Sequence, residues 1–118
     1  MATLFWKQNR FSSLVASLLL KAQELGYQVT LGEVHRTAEQ SKIYADGGIG
    51  LSNSLHRLRL AVDLNLFFDG KYLTESKDYE PLGQWWEEQS NQDYTLCWGG
   101  RFLKQDGNHF SMMHDGVR

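Results

Sequence analysis

One cysteine, Cys97, in 118 residues excludes an internal disulfide, a zinc ribbon and a Cys-x-x-Cys redox pair, and is compatible with folding in a reducing compartment. One proline, Pro81, leaves no proline-rich linker, and no repeat or low-complexity tract divides the chain. Neither sign of charge dominates. Twelve Lys and Arg against 14 Asp and Glu give a net charge of -2, which offers no footprint for nucleic acid and no polybasic membrane anchor. No apolar run approaches the ~20 residues of a membrane span. The stretch from Lys7 to Leu20 starts basic and continues through LVASLLL, but it lacks a small-residue cleavage site and its apolar positions recur with helical period. These absences predict a soluble monomer, residues 1–118 as a single domain, without a signal peptide.

What is present suffices for a core: 42% of residues are hydrophobic and 13% aromatic. Phe11, Leu14, Val15, Leu18, Leu19, Ala22 and Leu25 form one stripe of an amphipathic helix that Gly26 stops. Gln28 to Glu33 reads as a strand. Thr37, with Gln40 three residues later, reads as a capping box for a helix ending near Gly47, followed by a Gly/Ser-rich loop to Ser54. Ala61 to Phe68 is a strand, Asp69-Gly70 a type I′ turn and Lys71 to Thr74 the returning strand. Ser76 or Asp78 opens a helix with Pro81 in its first turn and Leu82, Trp85, Trp86 and Gln89 along one side. Tyr94 to Trp98 and His109 to Met113 are the last strands, separated by a Gly99-Gly100 loop. This order predicts an α+β fold, a small antiparallel sheet with helices packed on one face.

In the segment SNSLHRLRLAVDLNLFFDGKY, residues 52–72, Val62, Leu64, Leu66 and Phe68 share one face, which leaves Asp63 on the other. In the last strand Phe110 and Met112 oppose His109 and Ser111. If these two strands are neighbours, Asp63 and His109 converge above the sheet, and His56 reaches the same point from the preceding loop. Two imidazoles and a carboxylate suit zinc and leave a fourth tetrahedral position for water, which is a catalytic arrangement because a structural site would be closed. Each piece also has a plainer explanation. A loop histidine and a strand-face aspartate at this separation are common, and His109 alone fits a hydrogen-bonded histidine. Asp106 suits the first position of an Asp-Gly turn. In a straight strand it would lie about 10 Å beyond His109, so a role at the metal requires Gly107 and Asn108 to fold it back. Arg36 can be a surface arginine paired with Glu39, Cys97 a small buried apolar residue, and His35 and His114 have no companion at ligand spacing.

Taken together, EVHRTAEQ (33–40), SLHRLRLAVDL (54–64), WGG (98–100) and DGNHF (106–110) resemble the zinc D-Ala-D-Ala carboxypeptidase and L-alanyl-D-glutamate endopeptidase family of hedgehog-like metallopeptidases, which includes bacteriophage endolysins. The resemblance extends over nearly the whole chain. It implies that His56, Asp63 and His109 bind Zn2+, that Asp106 is the catalytic base, and that Arg36 contacts substrate or transition state, with Gln40 and Ser54 beside it in substrate binding. It further implies a peptidoglycan stem-peptide substrate cut at the L-alanyl-D-glutamate bond, and an endolysin held in the host cytoplasm until it is released to the wall. The alternatives are a D-alanyl-D-alanine carboxypeptidase or dipeptidase, and a zinc-stabilised binding module without catalysis. Two departures stand out: Arg59 where many members have glycine, and Ser111 after His-Phe.

Overall fold

The computed structural model describes residues 3–34 and 54–118. Helix α1 spans Leu4–Glu24; the Thr3 hydroxyl caps its start by accepting from the Trp6 N–H at 3.2 Å. It ends in a Schellman arrangement, in which the Tyr27 N–H donates to the Ala22 carbonyl and the Gly26 N–H to that of Gln23. Gly26 stands at φ 92, where a side chain would be strained. Phe11, Leu14, Leu18 and Ala22 are buried, as the stripe predicts. Leu25 is 38% exposed, because it is the C-cap and lies beyond the last helical turn.

Among the described residues five strands form the sheet, four of them in the order β1-β2-β5-β4, with β1 at Gln28–Leu31, β2 at Ala61–Phe68, β4 at Leu96–Trp98 and β5 at His109–Met112. The short β3, Lys71–Tyr72, returns along the far end of β2 after a turn whose Asp69 and Gly70 both have positive φ, as a type I′ hairpin requires. All pairings among the described residues are antiparallel. Several strands are shorter than alternation predicts, and the reason is local. Gly32 and Glu33 still pair with Asp63 beyond the end of β1, whereas Asn91 Oδ1 accepts from the N–H groups of Asp93 and Tyr94 and holds that segment in a turn. Past β3, the Tyr79 hydroxyl donates to the Leu73 carbonyl and accepts from the Leu66 N–H.

A 3-10 helix, Ser76–Tyr79, leads into helix α2, Glu80–Glu88, with Pro81 in its first turn where no N–H is needed. Leu82 and Trp86 are buried, while Trp85 and Gln89 are half-buried. The core lies between the helices and one face of the sheet, where Val62, Leu64, Leu66, Phe110 and Met112 are at most 1% exposed. Trp86 stands at its centre, edge-on to Phe11 at 5.8 Å and to Phe110 at 6.3 Å. Its indole N–H is shared between the carbonyls of Cys97 on β4 (3.1 Å) and Ser111 on β5 (3.2 Å). The fold is therefore α+β, with a small antiparallel sheet and helices on one face. The opposite face is drier than alternation predicts: Ala61 and Ser111 are fully buried and His109 is 7% exposed. The expected helix from Thr37 to Gly47 lies outside the described residues.

Candidate metal centre

Asp63 is held from both edges of β2. On one side its N–H donates to the Glu33 carbonyl at 2.8 Å and its carbonyl accepts from the Gly32 N–H at 2.7 Å. A Cβ at Gly32 would stand 3.0 Å from that carbonyl oxygen, so glycine permits the close approach. On the other side, His109 is its direct partner in the β2–β5 register. The convergence that depended on these strands being neighbours thus follows from the pairing itself.

His56 arrives on a compact turn, 54–60, anchored by the buried side chains of Leu55 and Leu60. The Leu60 N–H donates to the Leu55 carbonyl, and Ser54 Oγ accepts from the His56 N–H at 3.2 Å. Ser54 is thereby placed as a local brace for His56. Arg59 takes φ 57, the left-handed conformation that glycine adopts without strain, so the turn keeps a glycine-like shape despite the arginine.

One ligand atom from each of His56, Asp63 and His109 lies within 4.8 Å of the other two. His56 Nε2 is 3.3 Å and His109 Nδ1 3.7 Å from Asp63 Oδ1, and the two imidazoles meet edge to face at 5.4 Å between ring centres. Asp63 Oδ1 is buried, and neither imidazole reaches it with good hydrogen-bond geometry. Burial works against the charge of Asp63, but the close approach of His109 and then of His56, and their coulombic attraction, outweigh it and hold the carboxyl at about 2. A buried acceptor without a partner, beside two imidazoles, fits a cation of the zinc type: these are borderline and hard donors, three in number.

Asp106 is brought to the rim of this cluster by a turn. The carbonyl of Gly99, at the start of a 3-10 turn Gly99–Arg101, accepts from the N–H groups of Phe102 (3.1 Å) and Asp106 (2.9 Å). The Asp106 carbonyl then accepts from the His109 N–H at 3.0 Å. Next to it, the Gly107 N–H donates to Ser76 Oγ and its carbonyl accepts from the Trp98 indole at 2.6 Å. A Cβ on Gly99 would overlap the Asp106 carbonyl and come within 2.9 Å of His109 Cβ. In this setting Asp106 Oδ2 lies 4.0 Å from His109 Nδ1, with its side chain half exposed. Partial burial pushes its carboxyl up; His109 pulls the other way, and the charge of Asp63 adds to the rise. A cavity of about 200 Å3 opens beside it, lined by Tyr72, Thr74, Gln105 and Asn108 among others. A larger one, about 440 Å3, lies further out around Lys77, Glu80 and Arg101 and contains no candidate ligand.

Arg36 and Gln40 lie outside the described residues, as does His35. His114 is apart from the cluster, with Nδ1 3.2 Å from Lys7 Nζ and Nε2 3.4 Å from Asp115. Cys97 is buried, and burial pushes its thiol up. Ser111 is fully buried, one row behind His109 on the same face. Two neighbours were not singled out by residue type or spacing. The Phe102 ring packs 5.4 Å from that of His109, and Glu33 Oε1 lies 3.8 Å from His56 Nδ1. Both are placed by tertiary contact; Glu33 opens the EVHRTAEQ segment, but nothing in that segment points to His56.

A family profile described as D-alanyl-D-alanine carboxypeptidase matches residues 49–112, which include His56, Asp63, Asp106 and His109. Among solved structures, the Serratia marcescens L-Ala D-Glu endopeptidase ChiX is similar, with a TM-score of 0.67 and 20% identity over 86% of this chain and 79% of that chain. At that identity the likeness concerns the fold. No curated protein sequence matches significantly.

Proposed function

The chain belongs to the D-alanyl-D-alanine carboxypeptidase family, whose profile spans more than half of it, and from that premise we propose a zinc-dependent peptidase that hydrolyses the L-alanyl-D-glutamate bond of peptidoglycan stem peptides. The observation that carries this reading is the convergence of His56, Asp63 and His109 on one point, with Asp106 at its rim. In this reading residues 1–118 form one catalytic domain, and the biological setting is a phage endolysin that lyses the host wall.

Zinc held by His56, Asp63 and His109 would supply Lewis acidity, lowering the pKa of a water and polarising the scissile carbonyl. The chain's own groups do the rest. Asp106, with a raised pKa and an exposed edge, takes the proton of the attacking water and delivers it to the leaving amine. The Arg36 guanidinium, which does not titrate, balances negative charge on the carbonyl oxygen or clamps a substrate carboxylate, with Gln40 and Ser54 completing the pocket. The cavity beside Asp106 gives a polar stem peptide room to approach.

The description of the matching family favours a second reading, a D-alanyl-D-alanine carboxypeptidase. Digestion of purified sacculi separates the two. New D-glutamate amino termini are expected; release of free D-alanine alone would replace the endopeptidase with the carboxypeptidase. Neither product from folded, zinc-loaded protein would favour a binding module.

A further inference from the structure

We propose that Glu33 is the carboxylate that orients His56 and fixes its tautomer, and so sets how tightly the centre holds its metal; this rests on the metal-binding reading above. The two nitrogens of His56 face two different carboxylates. Nε2 lies 3.3 Å from Asp63 Oδ1, and Nδ1, on the other side of the ring, lies 3.8 Å from Glu33 Oε1. The residue is 4% exposed, and Nδ1 is buried without a hydrogen bond, so bulk water does not serve it.

An imidazole that gives its Nε2 lone pair to a cation carries its proton on Nδ1, and that proton needs an acceptor. Glu33 is placed to provide one. Its carbonyl is bound by the Asp63 N–H at 2.8 Å, and the preceding Gly32 allows the two backbones to touch, so the Glu33 backbone is fixed relative to the ligand beside it. At 3.8 Å the carboxylate stands at ion-pair range of Nδ1, close to hydrogen-bond distance. The pairing of Gly32 and Glu33 with Asp63 therefore delivers a metal ligand and the outer carboxylate of a second ligand from one stretch of sheet. A negative acceptor at Nδ1 holds the ring plane, selects the tautomer that leaves Nε2 free, and makes Nε2 a stronger donor. Glu33 acts through His56 and does not join the three-ligand group.

The test is zinc affinity by chelator competition on the full chain, with the ring N–H resonance of His56 as an independent readout. Glu33→Ala is expected to weaken zinc binding about 10–100-fold, the usual effect of losing an outer-shell partner, and to lose the Nδ1–H signal to solvent exchange. Glu33→Gln keeps an acceptor oxygen without the charge, so a smaller loss of several-fold is expected with the resonance retained. Glu33→Gln also decides the matter should the alanine variant fail to fold. Wild-type affinity in Glu33→Gln would overturn the role of Glu33 while leaving the metal centre standing. Failure of the wild-type chain to bind zinc would overturn the centre and this inference together.

Discussion

Asp106 and His109 are three residues apart and belong to one turn, yet their substitutions have different expected effects. His109 faces Asp63 across β2 and β5 as a candidate ligand, whereas Asp106 stands 4.0 Å from His109 with half its side chain in solvent. Asp106→Asn keeps the size and turn-forming capacity of the side chain but does not accept a proton. It is expected to retain zinc and lose at least ~10²-fold in hydrolysis rate, the usual contribution of a positioned acid/base group. His109→Ala is expected to lose the zinc itself. Metal analysis beside sacculus hydrolysis distinguishes the two, and wild-type turnover in Asp106→Asn would reduce Asp106 to a turn residue. Arg59 illustrates how a departure from a family's habit is absorbed: it accepts left-handed backbone at a cost of roughly 1–2 kcal/mol.

The 3-10 turn Gly99–Arg101 acts as the cradle of the site, because the Gly99 carbonyl binds Asp106 and its bare Cα lets the Asp106 carbonyl pass. Gly99→Ala is expected to cost about 1–3 kcal/mol by overpacking and to displace Asp106, lowering the hydrolysis rate at least ~10-fold even well below the melting temperature. Thermal unfolding and rate measured on the same sample check this; an unchanged rate would show that the cradle does not position Asp106. Much of the element pattern was legible beforehand. Period 3.6 from Phe11 to Ala22 and period 2 from Val62 to Leu66 report burial directly, since each depends only on which residues meet one apolar surface. Strand ends were less legible. The expected strand from Tyr94 starts only at Leu96, because the Asn91 side chain captures the Tyr94 N–H first. The facing of Asp63 and His109 was legible only as a condition, because register between β2 and β5 depends on long-range packing. Glu33 beside His56 carried no periodic signal at all, being an effect of Gly32 and Glu33 pairing with Asp63 past the end of β1.

Across the whole molecule, the candidate ligands tie the turn 54–60, β2 and β5 to one point. Zinc in ~100-fold excess over its dissociation constant would stabilise the folded state by about 2.7 kcal/mol, which for a domain of this size raises the melting temperature by roughly 10 °C. Calorimetry with and without a chelator measures it, and coincident melting curves would contradict a metal at this point. Trp86 ties β4 and β5 together from the core. Its single indole proton is divided between a carbonyl of β4 and one of β5, from the helical side of the sheet. Sliding β5 by one residue would break that shared bond and turn His109 towards the helices, because side chains alternate along a strand. A tryptophan sealed from solvent thus acts as the key to which way the imidazole faces, and the oily interior sets the geometry of the candidate centre on the other side of the sheet.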